Sequence, residues 1–441
     1  MRFEFEWQEA PGVRDKVLAA SWARLSLHAD NLCLSEAVDE RSDSRRTSLY
    51  GSLFPLVEWL VENWWHLLNE PSPRSPVPGG RVAPPLMRSW VQRHNLLAAR
   101  DGGALPDLTI LRDGNEVLVQ WEADPVLPTP SRLRFVGQGK LRRSLPEVES
   151  ALGSFVEAVL ARLEERLPDE EEVERVAKAW CAIRTADSAE AALCQALAVM
   201  GVDPYDPDEA ADRLIEVVER CIRVLPDELR TDLFEGSDPQ SLEDDLDWIE
   251  RERTAFSKDF SGVGVPTVAP VIASSPHELG YLTARRVRSE LLNMADDTPL
   301  PDLNSALQRL GWAGRSSRLA AAGIDLDGMV GLDDATSTLV LVTADNRNEH
   351  AERFRLARAA FFPVSRALGK KGRLLTRAVT PPQRAARAFA AELLVPSAAL
   401  ENRVSGRLGD REIEDLAAEF AVNPLVIRHQ IENHGLGFVD A

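Results

Sequence analysis

Apolar residues recur every three or four positions through most of the chain, so helices are expected to dominate. Ser48 to Asn69 reads as one amphipathic helix, with Leu53, Leu56, Leu60, Trp64 and Leu67 on a shared face. Pro146–Arg166, Glu170–Arg184, Ser188–Met200, Asp208–Val224, Pro226–Phe234 and Ser241–Phe256 repeat that pattern. Asp187 or Ser188 can cap the third of these, and Glu190 suits the positive end of its dipole. Alternation of period two is rarer. It marks Arg2–Trp7, a short strand at Leu32–Leu34, and a hairpin of Leu108–Leu111 and Glu116–Trp121 around Asp113-Gly114-Asn115. Residues 71–80 and 259–276 carry no apolar period and are rich in Pro, Gly and Ser, so they read as linkers.

After the second linker, His277–Arg288 and Leu303–Leu310 are expected as helices, and Ile324–Leu332 and Thr338–Val342 as strands of a small sheet. Two further helices follow. Phe354, Ala357 and Phe361 share a face of the first, which Pro363 should close. Pro381-Pro382 opens the second, which carries Ala386, Phe389, Ala390 and Leu393 and stops before Pro396. The tail, Asp410 to Gly435, has helix-turn-helix spacing: Ile413, Leu416, Ala417 and Phe420 form one face, Asn423 caps a second helix at Pro424, and Gly435 ends it. The expected fold class is α+β, mainly helical. A mixed domain spans 1–145, an acidic helical region 146–258, and a domain with a small sheet 277–441.

Composition adds little to this picture, but charge adds more. With 44% hydrophobic and 27% charged residues the chain is expected to be a soluble globular protein. No run of about 18 apolar residues is present, so no membrane span is expected. The first residues alternate and carry acid, which fits a strand and not a signal peptide. Cys33, Cys181, Cys194 and Cys221 lack C-x-x-C spacing, which points to free thiols and a cytoplasmic protein. The net charge of −19 argues against a general polyanion binder. It is unevenly spread. Residues 161–260 hold 28 acidic and 12 basic side chains, whereas 353–391 holds ten basic and no acidic ones. The two blocks have the signs to dock on one another, to guide partners, or to stand as solvated faces.

Candidate chemistry is sparse. Trp59, Trp64, Trp65 and Trp90 have the residue type for stacking bases, although tryptophans are more often core anchors. His66 and His94 read as structural. The acidic turn Asp203–Glu209 lacks the EF-hand pattern. No G-x-S-x-G, Walker loop or H-x-E…C-x-x-C set occurs. In the tail, Arg428, Gln430, Asn433 and His434 are the candidates for DNA contact, without a basic cluster around them.

The stretch from Arg353 to Pro396 resembles the ImmA/IrrE family of zinc metallopeptidases. That family carries a helix F-x-x-A-H-E-L-x-H and then a helix E-x-x-A-N-x-F-A-x-x-L-L-x-P. Phe354, Ala357, Ala386, Phe389, Ala390, Leu393, Leu394 and Pro396 match its scaffold. The chemical positions do not match: Arg358 stands for the first zinc histidine, Ala359 for the general-base glutamate, Phe362 for the second histidine, and Gln383 where the third ligand would be. The order of helices, sheet and motif helix over 277–441 fits the same comparison. Trp59–Glu70, Trp90–His94 and Leu105–Leu108 look like the front part of large bacterial proteins with such domains.

The substitutions carry a chemical consequence. Histidines at i and i+4 can hold zinc while the intervening glutamate takes a proton from bound water. Arginine stays charged and repels a cation, alanine and phenylalanine offer no lone pair, and glutamine is a poor ligand. The resemblance therefore implies a zinc-less pseudoenzyme: no catalytic residue, no metal, no cofactor, and a regulatory or sensing role through a protein partner. The family's setting is the control of repressors, stress responses and phage defence. The competing expectation is a nucleic-acid-binding regulator using 353–391 or the tail. In the family the tail segment packs on the peptidase unit instead. Arg358, Arg355 and Arg387 are candidates for binding an anion or a peptide carboxylate. If Arg358 is buried it needs an acceptor, internal, with Glu392 one candidate, or external, a peptide carboxylate or a phosphate.

Overall fold

A computed structural model describes the chain apart from residues 11, 74–83, 101–102, 115, 126–132, 254–263, 265, 317–324, 334–337, 344–347, 368–371, 405 and 440–441. It is mixed α+β and mostly helical, with small sheets. The chain divides into two units, Met1–Asp212 and Arg213–Ala441. The boundary falls within the expected region 146–258: its residues up to Asp212 belong to the first unit and the rest to the second, beside the expected regions 1–145 and 277–441.

In the first unit β1 (Arg2–Trp7) leads to the short α1 (Lys16–Ala20), then β2 (Trp22–Ala29), β3 (Leu32–Cys33), β4 (Ala37–Asp39), β5 (Ser44–Arg46) and β6 (Leu49–Ser52). β2 is central: it pairs with β1 along one edge, and with β6 and β3 along the other, all antiparallel. Its Ala23, Leu25, Leu27 and Ala29 are buried, alternating with more exposed positions. The expected helix from Ser48 is corrected here. Residues 49–52 are strand, and the helix starts at Phe54 as α2 (Phe54–Glu62), continuing after Asn63 as α3 (Trp64–Asn69). α4 (Pro84–His94) precedes the hairpin of β7 (Asp107–Asp113) and β8 (Glu116–Glu122). Its turn residue Asn115 lies outside the described residues, as do 74–80 of the expected first linker. β9 (Leu133–Phe135) joins β4, and β10 (Gly139–Ser144) joins β8.

The helices α5 (Leu145–Arg166), α6 (Glu171–Thr185) and α7 (Ser188–Val199) close this core. Ser144 and Glu147 form a capping box at the start of α5, and Asp187 caps α7 through the Ala189 and Glu190 N–H groups. Phe155 stacks on Phe3 at 4.5 Å between ring centroids, and Trp180 meets Trp64 edge-on at 4.8 Å. The tryptophans considered for stacking are therefore core anchors: Trp59, Trp64, Trp65 and Trp90 are all buried.

The second unit begins with α8 (Asp212–Val224), α9 (Asp227–Gly236) and α10 (Leu242–Arg253). α11 (Pro276–Arg286) runs on through a π turn over Val287–Leu291, followed by α12 (Leu303–Arg309). The sheet has the order β11 (Trp312–Ser316), β13 (Leu339–Thr343), β12 (Gly328–Leu332), β14 (Arg373–Leu375). β12 and β13 are buried throughout, which explains their continuous apolar runs. α13 (Glu349–Val364) and α14 (Pro381–Leu394) are the two motif helices. Pro363 sits inside the last turn of α13, one residue before its end. Gly280 lets α11 cross α14 closely: a Cβ there would lie 2.3 Å from the Ala385 carbonyl oxygen. Short α15 (Ser397–Glu401) and β15 (Arg407–Leu408) lead to α16 (Asp410–Phe420), α17 (Pro424–His434) and β16 (Phe438–Val439). Asn423 caps α17 and Gly435 ends it in the left-handed conformation, as the spacing implies.

Candidate functional site

Arg358 lies on the inner face of α13 and is 4% exposed. A guanidinium held there must have its charge met inside the protein. Its Nη1 donates to Asp327 Oδ2 at 2.5 Å. Its Nη2 donates to the Thr376 carbonyl at 2.7 Å and to Gln383 Oε1 at 3.2 Å. The other oxygen of Asp327 takes Arg355 Nη2 at 3.1 Å. Asp327 is placed by the sheet, because its own N–H donates to the Leu375 carbonyl at 2.8 Å. Burial raises the Asp327 carboxyl, but Arg358 and Arg355 outweigh it and hold it below the usual carboxylate range.

The network continues through Gln383 on α14. Its Nε2 donates to the Leu374 carbonyl at 2.8 Å and lies 3.5 Å from Asp232 Oδ1. Asp232, on α9, takes Arg373 in a two-pronged pair, Nε and Nη2 both at 2.7 Å, and also accepts the Leu374 N–H at 3.1 Å. Burial pushes the Asp232 carboxyl up, against the pull of Arg373. The Arg373 guanidinium also stands 5.4 Å over the Phe362 ring. Ala359 and Phe362 are fully buried in the hydrophobic core of the second unit.

Arg358 and Gln383 are thus joined directly, Gln383 and Arg373 meet at Asp232, and the Phe362 ring lies under the Arg373 guanidinium. Gln383 Oε1 accepts from Arg358 Nη2 and from the Thr376 N–H. Among the described residues no three His, Cys, Asp or Glu side chains are grouped to hold a metal. Glu392, the expected internal partner of Arg358, is corrected to Asp327. Glu392 lies further along α14, where it takes Arg285 Nε at 2.8 Å, Ser397 Oγ at 3.0 Å and Gln430 Nε2 at 3.0 Å.

That last bond removes Gln430 from the DNA-contact candidates, since its side chain is buried and held by Glu392 and the Val395 carbonyl. Arg428 is engaged by Asp410, and Asn433 is exposed beside Tyr281. α17 therefore turns its inner face to α14. Arg387 donates to the Ala378 carbonyl at 2.8 Å. Much of the basic run 353–391 likewise points inward to carbonyls and carboxylates: Arg353 bonds the carbonyls of Leu300 and Pro301. Lys370 and Lys371 lie outside the described residues.

Asp232 and Asp327 were the residues missed. Asp232 had a legible signal: it shares the apolar face of α9 with Leu229 and Leu233, all buried. Asp245 carries the same signal on α10, beside Leu242, Leu246 and Ile249. Its Oδ1 accepts the Asp325 N–H at 2.8 Å, while Asp325 Oδ2 accepts the Asp238 N–H at 3.0 Å and Ser241 Oγ–H at 2.7 Å. This reciprocal clip fastens α9 and α10 to the segment that carries Asp327.

Burial pushes the Asp245 carboxyl up to about 6, with the Asp325 carboxylate adding to it. The folded state therefore binds this proton more tightly than the unfolded state. Ionising Asp245 costs stability as pH rises from the ordinary carboxylate range to about 6, and the cost is complete above that. Asp245→Asn should stabilise the second unit by roughly 2 kcal/mol at pH 7.5 and by little at pH 4. Urea unfolding at the two pH values checks this, and an equal effect at both would exclude it.

In the first unit His94 spans two acceptors, Nδ1 at 2.7 Å from the Ile110 carbonyl and Nε2 at 3.0 Å from Glu70. Burial pushes His66 down to about 4. Both are buried. Among the described residues no helix is long and apolar enough to cross a membrane.

No family model, curated protein or solved structure matches the chain.

Proposed function

We propose that this protein is a non-catalytic regulator or sensor built on a degenerate metallopeptidase scaffold, acting through binding of a protein or peptide partner. The observation that carries the reading is the buried Arg358 with Asp327, Thr376 and Gln383 around it. A guanidinium at that position repels a divalent cation, and the carboxylate beside it, Asp327, has both oxygens committed to Arg358 and Arg355. The bacterial setting of stress response, mobile-element control or phage defence comes with the resemblance and belongs to the same proposal. The alternative, nucleic-acid binding through 353–391 or the tail, loses support from the inward bonding of Arg353, Arg358, Arg373 and Gln430.

Two assays test the reading. The purified full chain should hold far less than one zinc per molecule by elemental analysis, and added zinc should leave casein and peptide substrates uncut. About one zinc per chain, lost on Gln383→Ala, would overturn it.

A further inference from the structure

The first unit contains an open groove of about 890 Å³, well away in sequence from the arginine network of the second. Its size falls in the range of ligand sites, and both apolar and polar atoms line it. One wall is unusual: every residue from Ser48 to Leu53 contributes to it, so β6 lies along the groove lengthwise. Asp124, Pro125 and the β9 residues Leu133 and Phe135 also line it, as do Leu56 and Leu105.

The pairing of β6 shows what its groove side offers. The Leu53 N–H donates to the Ser21 carbonyl, and the register runs Trp22↔Ser52, Ala23↔Gly51, Arg24↔Tyr50, Leu25↔Leu49. In an antiparallel pair the bonded positions alternate, so Gly51 and Leu49 face β2, while Tyr50 and Ser52 turn their N–H and C=O groups outward. No strand pairs with that outer edge among the described residues. The edge is thus a row of two donors and two acceptors at strand spacing, in a groove also lined by Leu56, Leu105 and Phe135. Side-chain charges on the groove are met from within. Arg46 pairs with Asp39 at 2.5 Å, Arg100 donates to the Leu105 carbonyl at 2.6 Å, and Asp124 accepts the Phe135 N–H at 2.9 Å. Arg46 and Arg100 balance Asp39 and Asp124, so the groove carries no net charge and complements a neutral, apolar chain and not a nucleotide or a nucleic acid. Tyr50 itself is 52% exposed at the rim.

We propose that this groove binds an extended peptide segment of a partner protein, which adds as a strand to β6. Main-chain bonds to Tyr50 and Ser52 hold it, and alternate apolar side chains enter the groove toward Leu56, Leu105 and Phe135. The inference deepens the reading of the protein as a partner-binding regulator by naming the site and the form of the ligand.

The test uses the full chain and a phage-displayed library of random 12-residue peptides. Selected peptides should show alternating apolar residues. Bound to the wild-type protein, they should slow amide exchange at Tyr50 and Ser52 by at least tenfold. Tyr50→Pro removes one outward N–H without touching the bonds of Gly51 and Leu49 to β2, and proline is tolerated on edge strands. It should weaken binding at least tenfold, and Tyr50→Phe should leave binding unchanged. Gly51→Trp fills open space beside the groove and should also block binding. Three results would overturn the proposal: no peptide enriched, exchange at Tyr50 and Ser52 unchanged on binding, or concentration-dependent self-association lost in Tyr50→Pro, which would make a second copy the occupant. Protection of α13 and α14 instead would end this inference and leave the partner-binding reading intact, and the zinc and cleavage assays judge the non-catalytic reading separately.

Discussion

Asp327→Ala should lower the stability of the second unit by about 3–5 kcal/mol, the range seen when one member of a buried ion pair is removed. The substitution strands Arg358, which is 4% exposed and keeps only Thr376 and Gln383 as acceptors. Arg355 can turn outward more readily, since 17% of its side chain is exposed. Arg358→Ala should cost less, because Asp327 then keeps Arg355 at 3.1 Å. The double variant Arg358→Met with Asp327→Leu should recover most of the loss, as apolar replacements of buried pairs do. Urea denaturation followed at the tryptophans of the second unit measures all three. A cost below about 1 kcal/mol for Asp327→Ala would mean that the pair is not what holds the motif helices to the sheet.

Glu392→Gln should be the second large effect, and it should depend on pH. Burial opposes ionisation of Glu392, but His434 and Arg285 outweigh it and hold the carboxyl down at about 2. Arg285 lies at 2.8 Å and His434 Nε2 at 3.4 Å. A folded pKa below the unfolded one gives stability that is present above the ordinary value near 4.5 and is lost as pH falls toward about 2. At about 1.4 kcal/mol per pKa unit, the contribution at neutral pH is about 3 kcal/mol. Glu392→Gln should lose about that much at pH 7, and its gap from wild type should narrow below pH 4.5. A gap that stays constant from pH 7 to pH 3 would show that Glu392 acts only by shape.

The helices were legible because each carries its own signal. Asp187 and Asn423 are caps, Gly435 is a stop, and the apolar stripes match the buried faces of α5, α6 and α16. Strands whose state is set by partners were harder to see. β6 hid because Leu49, Leu53 and Leu56 continue a helical spacing, and only pairing with β2 makes 49–52 extended. β2 does alternate, but two of its four buried positions are alanines, a helix-favouring residue. At the candidate site the positions picked out by the resemblance, Arg358, Ala359, Phe362 and Gln383, could be read residue by residue. The partner of Arg358 could not, because Asp327 reaches it only through the register of β12 on β14. Glu392 was the visible acid on the same pair of helices, and it serves a different cluster.

Asp232 reaches Arg373 across 141 positions of sequence. The sheet beside α13 and α14 is therefore tied to α9. A chain cut at the linker near 276 would keep Arg373, Gln383 and the Leu374 N–H but lose the carboxylate that joins them. It would also lose Asp245 and the Asp238–Ser241 turn that grip Asp325. The compact unit begins at Arg213, so insertions, fusions or domain exchanges that keep its contacts whole should break the chain before α8 and not at the glycine- and proline-rich stretch.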